Sequence, residues 1–194
     1  MKSLKQIIQE NLKFKINRDN DIYAYHPKTL DELRQIINDR YKELGPGTKA
    51  EPIDFNDIDV SGMTTFYDKS TNQGLFQNTK FEYIDVSNWN TSNVEYMVSV
   101  FEKCSNLKEI SDLSNWNVSK IKNMEDMFRN CEQLELIGDL SKWDVSNVKN
   151  MYHMFDGCKK LTSIGDISNW DVSSVNFMQR MFYDSGITNK PNWY

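Results

Sequence analysis

No run of apolar residues in this chain approaches the roughly 18 that a membrane span requires, and Met1 to Glu10 lacks the uninterrupted apolar stretch of a signal peptide. The expectation is a soluble, unexported, cytoplasmic protein without membrane insertion. Cysteine is scarce: three residues, an odd number, all at one equivalent repeat position, do not make the disulfide framework of a small secreted scaffold. Free buried thiols are expected instead. The two histidines, His26 and His153, have no Cys or His at ligand spacing, so neither supports metal binding or nucleophilic catalysis. None of the eight glycines opens a phosphate-cradling loop, and no acid is paired with a base. The chain is therefore expected not to be an enzyme and to carry no cofactor and no metal. An excess of positive charge is lacking too. The net charge is -5, with ten basic and eight acidic side chains in residues 1–52 and thirteen against twenty in residues 53–194. An acidic repeat region disfavours nucleic acid as a partner.

What the chain has in quantity is repetition. Trp89, Trp116, Trp143 and Trp170 lie 27 residues apart, with Met97, Met124, Met151 and Met178 eight residues after each. Phe101, Phe128, Phe155 and Phe182 follow four residues further on. A fixed period over several units is the mark of a repeat array. Each unit opens on Leu107-x-x-Ile110-x-x-Leu113 or its copies at Leu134 and Leu161, and the first copy, Phe81-x-x-Ile84-x-Val86, is one residue shorter. This spacing predicts a short strand, with a bulge or a shorter strand where the extra residue enters. The second half, with Val148, Met151, Met154 and Phe155 apolar, predicts about two turns of helix, N-capped by Ser92, Ser119, Ser146 and Ser173. One strand and one short helix per 27 residues bury their apolar sides only when stacked, so the expected fold is an α/β repeat solenoid, leucine-rich-repeat-like.

A small mixed cap is expected over residues 1–52. Leu4, Ile7, Ile8 and Leu12 predict a helix over 3–14, Asp21 to His26 a strand, and Thr29-Leu30-Asp31-Glu32 a capping box that starts a second helix. Gly45-Pro46-Gly47 ends that helix. The repeat region is expected over 53–184, beginning with a degenerate unit that carries a polar surface loop at Lys69 to Gly74. Residues 185–194, with Trp193 after Pro191, are expected to close it.

Asn-Trp-Asp-Val-Ser-x-Val-x-x-Met-x-x-Met-Phe, from Asn169 to Phe182, with Phe-x-x-Cys-x-x-Leu from Phe155 to Leu161, resembles the BspA-type leucine-rich-repeat surface proteins and the related Mycoplasma lipoprotein repeat of unknown function. The likeness covers about 57 to 184. Tyr25-x-Pro27-Lys28-Thr29-x-x-Glu32-Leu33 and Lys190-Pro191-x-Trp193 are similar to flanks of that family. The resemblance implies a right-handed leucine-rich-repeat-like solenoid used for protein binding or adhesion in bacteria, their phages and some protists. It implies no enzymatic activity.

Six columns of side chains are candidate sites. The Trp column is either core or an aromatic stripe for a ligand, and the core reading is favoured. The Met and Phe columns read as core. Cys104, Cys131 and Cys158 run along an axis where metal ligands would converge on a point, so small buried filler is favoured over zinc or redox roles. Asp85, Asp112, Asp139 and Asp166 would repel unless backbone amides or a cation compensate, and Asx-type turns are favoured over calcium. Asn90, Asn117, Asp144 and Asp171 form a second oxygen-rich column.

The positions that differ between units point to a partner-binding face. Glu82 and Tyr83, Lys108 and Glu109, Glu135 and Leu136, and Thr162 and Ser163 are expected to face outward on the concave sheet. Variation there fits a surface graded for one protein partner, and equally fits unselected solvent-facing positions. The expected function is a non-enzymatic interaction or adhesion module. The alternatives are a structural, self-associating spacer or virion component and, third, an enzyme with a pocket between cap and first repeat near Tyr23, Tyr25 and His26.

Overall fold

The structure is a computed structural model that describes residues 22–194. The expected helix over 3–14 lies outside the described residues. The second expected helix forms as α1, Leu30–Leu44: the Thr29 hydroxyl accepts from the Glu32 amide at 3.2 Å, and the Glu32 carboxylate reaches back to the Lys28 amide at 2.6 Å. Gly45, at φ 75°, ends it with its amide on the Tyr41 carbonyl. Leu33 and Ile37 bury the inner face of α1. Arg40, also buried, locks it to the first unit through a two-pronged pair with Asp57 at 2.7 and 3.0 Å. The expected strand at 21–26 shrinks to a single parallel bridge between Tyr25 and Ile58.

The expectation of an α/β leucine-rich-repeat-like solenoid is overturned. Among the described residues α1 is the one α-helix, and it lies before the repeats. Regular sheet is limited to a parallel three-stranded piece, β1 (Ile53–Asp54), β4 (Tyr83–Asp85) and β5 (Glu109–Ile110), and an antiparallel pair, β2 (Tyr67–Asp68) and β3 (Gln73–Gly74). The expected surface loop at Lys69 to Gly74 is the exposed turn of this pair, with Gln73 and Gly74 taken into β3. The second half of each unit is a run of turns. Its amides are not available to a helix: those of Met97, Ser99, Phe101 and Lys103 donate to the carbonyls of Asn123, Glu125, Met127 and Arg129 in the next unit at 2.7–2.9 Å. Ser99 and Lys103, Asp126 and Asn130, and His153 and Gly157 take positive φ, which an α-helix excludes. The serines expected as N-caps instead donate their amides to the side chain two residues earlier, as Ser119 does to Asn117 at 3.1 Å.

Two parallel ladders therefore join successive units. The strand ladder pairs Ile53 with Ile84, Ile84 with Ile110, and Glu109 with Leu136. The turn ladder runs Thr65, Tyr96, Asn123, Asn150, Phe177, one bridge per unit. Between them the core is a set of aligned columns. Phe76, Phe101, Phe128, Phe155 and Phe182 stack at 5.2 to 5.8 Å with nearly parallel planes. Each indole nitrogen donates to a carbonyl of the preceding unit: Trp89 to Phe55, Trp116 to Val86, Trp143 to Leu113 and Trp170 to Leu140, at 2.9–3.0 Å. Trp193 continues the series on Ile167 at 3.1 Å and stacks on Trp170.

Candidate functional site

The strand ladder brings six of the eight expected binding residues into two adjacent columns. Tyr83 lies opposite Glu109, and Glu109 opposite Leu136, which is half exposed. In the next column the Lys108 ammonium meets Glu82 at 2.6 Å and sits 5.6 Å from the Tyr83 ring, while the Glu135 amide donates to the Lys108 carbonyl. The hydrogen bond to Glu82 raises the Lys108 pKa above its usual range. Lys160 pairs with Glu135 at 3.3 Å, so both ammonium groups on this face have a carboxylate partner. Thr162 and Ser163 are exposed, but no strand or bridge among the described residues carries them on from Leu136.

The remaining columns resolve as structure. Cys104, Cys131 and Cys158 are buried and free, and their thiols donate to the Phe76, Phe101 and Phe128 carbonyls at 2.9–3.0 Å. Burial pushes the Cys131 and Cys158 thiols well above their ordinary range, which removes nucleophilic character. Asp85, Asp112, Asp139 and Asp166 each accept the amide of the serine two residues on, at 2.9–3.0 Å: the turn reading of that column holds. The second column does the same, from Asn90 through Asp171, at 3.0–3.2 Å. Among the described residues no three His, Cys, Asp or Glu side chains come together to hold a metal ion.

A cleft of about 920 Å³ opens where cap and repeats meet, on the turn-ladder side. It lies away from Tyr23, Tyr25 and His26. Leu30, Thr65, Tyr67, Asp68, Tyr96 and Val98 line it. Hydrogen bonds from Ser70 and then Thr71 hold the Asp68 carboxyl far below its usual range, and Arg34 adds a contact at 3.3 Å. A carboxylate so supplied with donors is a weak proton acceptor. Beside this cleft a groove of about 390 Å³ is lined by Glu95, Ser119, Lys120, Lys122, Asn147 and Lys149. A pocket between cap and first repeat was expected near Tyr23, Tyr25 and His26, and the cleft lies elsewhere on that junction; the groove was not expected from the sequence. The signal was present: between buried Val94 and Met97 the intervening pair changes from Glu-Tyr to Lys-Asn, Lys-Asn and Asn-Phe along the units.

One known family, described as Mycoplasma protein of unknown function, DUF285, matches residues 53–137 and again residues 109–193. The chain belongs to that family. The two matches overlap and together take in the whole stack of units, leaving α1 and its approach outside. No curated protein and no solved structure matches the chain. No helix among the described residues is long and apolar enough to cross a membrane.

Proposed function

We propose that the chain is a non-enzymatic protein-interaction module that docks a partner protein on the outer face of its strand ladder. The observation that carries this reading is the column Tyr83, Glu109, Leu136: three outward side chains of different chemistry held at adjacent ladder positions over an unvarying core. A rigid backbone beneath changing side chains supplies preorganised anchors, and aromatic and aliphatic groups beside charged ones are the usual composition of an interface centre. The Cys131 and Cys158 thiols, pushed up by burial, and the donor-saturated Asp68 supply no nucleophile or base that would favour an enzyme. A second reading, a self-associating structural component, draws support from Phe177, Tyr183 and Tyr194, all exposed in the last described unit and the tail after it.

The test is capture of a partner by tagged protein from lysate of the source cell, beside a folded variant carrying Tyr83→Ala, Glu109→Lys and Leu136→Ala. A partner held by the parent and lost by the variant supports the strand face. Capture that is unchanged in the variant removes that face from the reading. Light scattering on the same preparation separates the second reading: a stable homo-oligomer without any captured partner favours self-association.

A further inference from the structure

The turn ladder carries an excess of positive charge that the strand ladder does not. In its groove three ammonium groups face one carboxylate. Lys122 contacts Glu95 and lies 6.0 Å from the Tyr96 ring, and Lys120 donates to the Asn93 side chain at 2.9 Å. Lys149 has no ion-pair or hydrogen-bond partner for its ammonium among the described residues. A chain with net charge -5 thus concentrates unmatched positive charge at one place. We propose that the groove over Lys120, Lys122 and Lys149 docks an acidic, extended segment of a partner protein, with one apolar side chain of that segment seated in the adjoining cleft at Tyr96 and Val98.

The geometry selects this occupant over other anions. Glu95 belongs to both groove and cleft, so the two form one continuous strip. Lys120 and Lys122 are two residues apart, while Lys122 and Lys149 occupy equivalent places in neighbouring units of the ladder, where spacing is about 4.8 Å. Alternate side chains of an extended segment lie about 6.6–7 Å apart on one face, within reach of flexible lysines. Ser119 and Asn147 add polar groups at the groove wall. A continuous phosphate chain would meet Glu95 and the acidic excess of the repeats, whereas separate carboxylates among neutral residues avoid them. Half-exposed Tyr96 and Val98 give the segment an apolar anchor, which a purely electrostatic strip would lack.

The proposal rests on the interaction-module reading and adds a second surface to it. It is tested by fluorescence anisotropy of the full chain with a labelled peptide of alternating Glu and Thr that contains one Phe, beside its Lys-for-Glu counterpart and a single-stranded oligonucleotide. The acidic peptide is expected to bind, to weaken as salt rises from about 50 to about 300 mM, and to lose roughly tenfold or more in affinity when Lys120, Lys122 and Lys149 are changed to Glu. Lys→Gln changes at the same positions serve if the reversals fail to fold, and Tyr96→Ala is expected to cost a few-fold. Binding that survives the lysine changes in a folded variant, equal binding of the basic peptide, or tighter binding of the oligonucleotide overturns the proposal. The strand-face variant separates the two readings. Capture that depends on the strand face, with no acidic-peptide binding, removes the groove alone, and absence of both removes the module reading as well.

Discussion

On the strand side, pairing thins from the three residues of β4 to the two of β5 and then to the single Glu109–Leu136 bridge, whereas on the turn side one bridge per unit continues from Thr65 to Phe177. The difference traces to one residue. Ser111, Gly138 and Gly165 are the extra residue of the later units, absent from the first. Gly138 and Gly165 take φ 88° and 84°, where a Cβ would fall 2.0 and 1.9 Å from the carboxylate oxygens of Asp112 and Asp139. The chain there bulges over the preceding Asx turn and strand pairing lapses. From Val94 onward no residue is inserted on the turn side, so every second amide meets a carbonyl of the next unit although no strand forms. Even spacing, more than strand propensity, decides which side pairs throughout.

The comparison breaks most severely if the two sides do not share one core. Trp143 packs on the strand side, with its indole on Leu113, and Phe128 on the turn side, stacked at 5.3 and 5.4 Å between Phe101 and Phe155. Trp143→Ala and Phe128→Ala should each cost about 3–5 kcal/mol, from lost burial and the cavity left behind. Urea unfolding followed by tryptophan fluorescence and by circular dichroism should stay coincident for both variants. Separate transitions in either would mean that the ladders unfold independently and that the aligned columns do not couple them.

The columns were legible in the sequence because a fixed period repeats one environment: Trp, Phe and Cys recur where each indole, ring and thiol meets the same carbonyl or ring of a neighbour. The cap helix was legible from Thr29, Glu32 and Gly45, whose roles are local. The turn ladder was not. Val148, Met151, Met154 and Phe155 have helical spacing, yet successive turns place the same residues inward, and what separates the two is the sign of φ at Asp126 and His153. Neither position carries a glycine that would announce it. The groove stayed hidden for the same reason: Lys122 and Lys149 share a face only once Asn123 and Asn150 are known to be bridge partners. On the strand side the outward columns were legible as far as Leu136, and Thr162 and Ser163 fell past the point where pairing ends.

A smaller effect sharpens the turn side. Asp126 sits at φ 56° with one carboxylate oxygen buried and, among the described residues, without a hydrogen-bond partner. Burial pushes its pKa up to about 6; Arg129 pulls it down, Glu102 and Glu125 push it up, and His153 pulls it down. The raised value means that the folded state binds the proton more tightly than the unfolded chain does. Stability from this group is therefore full below about pH 4, falls as pH rises to about 6, and is level above that. Asp126→Asn keeps a residue type that tolerates positive φ and removes the charge. It should raise stability at pH 7 by about 1–2 kcal/mol, after allowance for partial exposure, and should flatten the pH 4–6 decline. Denaturation midpoints of parent and variant across pH 4–8 measure both. A parent and variant that differ by the same amount at every pH would show that the buried carboxylate is not the cause.

The smallest effect separates the two faces by their charges. Lys108 is paired on the strand side and Lys149 is unpaired among the described residues on the turn side, and neither is buried. Glu82 raises the Lys108 pKa, so the pair favours the folded state at neutral pH and loses that contribution only when Lys108 deprotonates, above the usual lysine range. Exposed pairs of this kind contribute little and are screened by salt. Lys108→Ala should lower the thermal midpoint by about 2 °C or less, and about 1 M salt should shrink the gap. Lys149→Ala should leave the midpoint unchanged or raise it slightly, because relieving unmatched positive charge next to Lys122 removes a repulsion. Equal losses from the two substitutions would mean that Lys149 has a partner in solution. In that case the positive excess of the groove would be satisfied within the chain, and the contrast between a paired and an unpaired lysine would disappear.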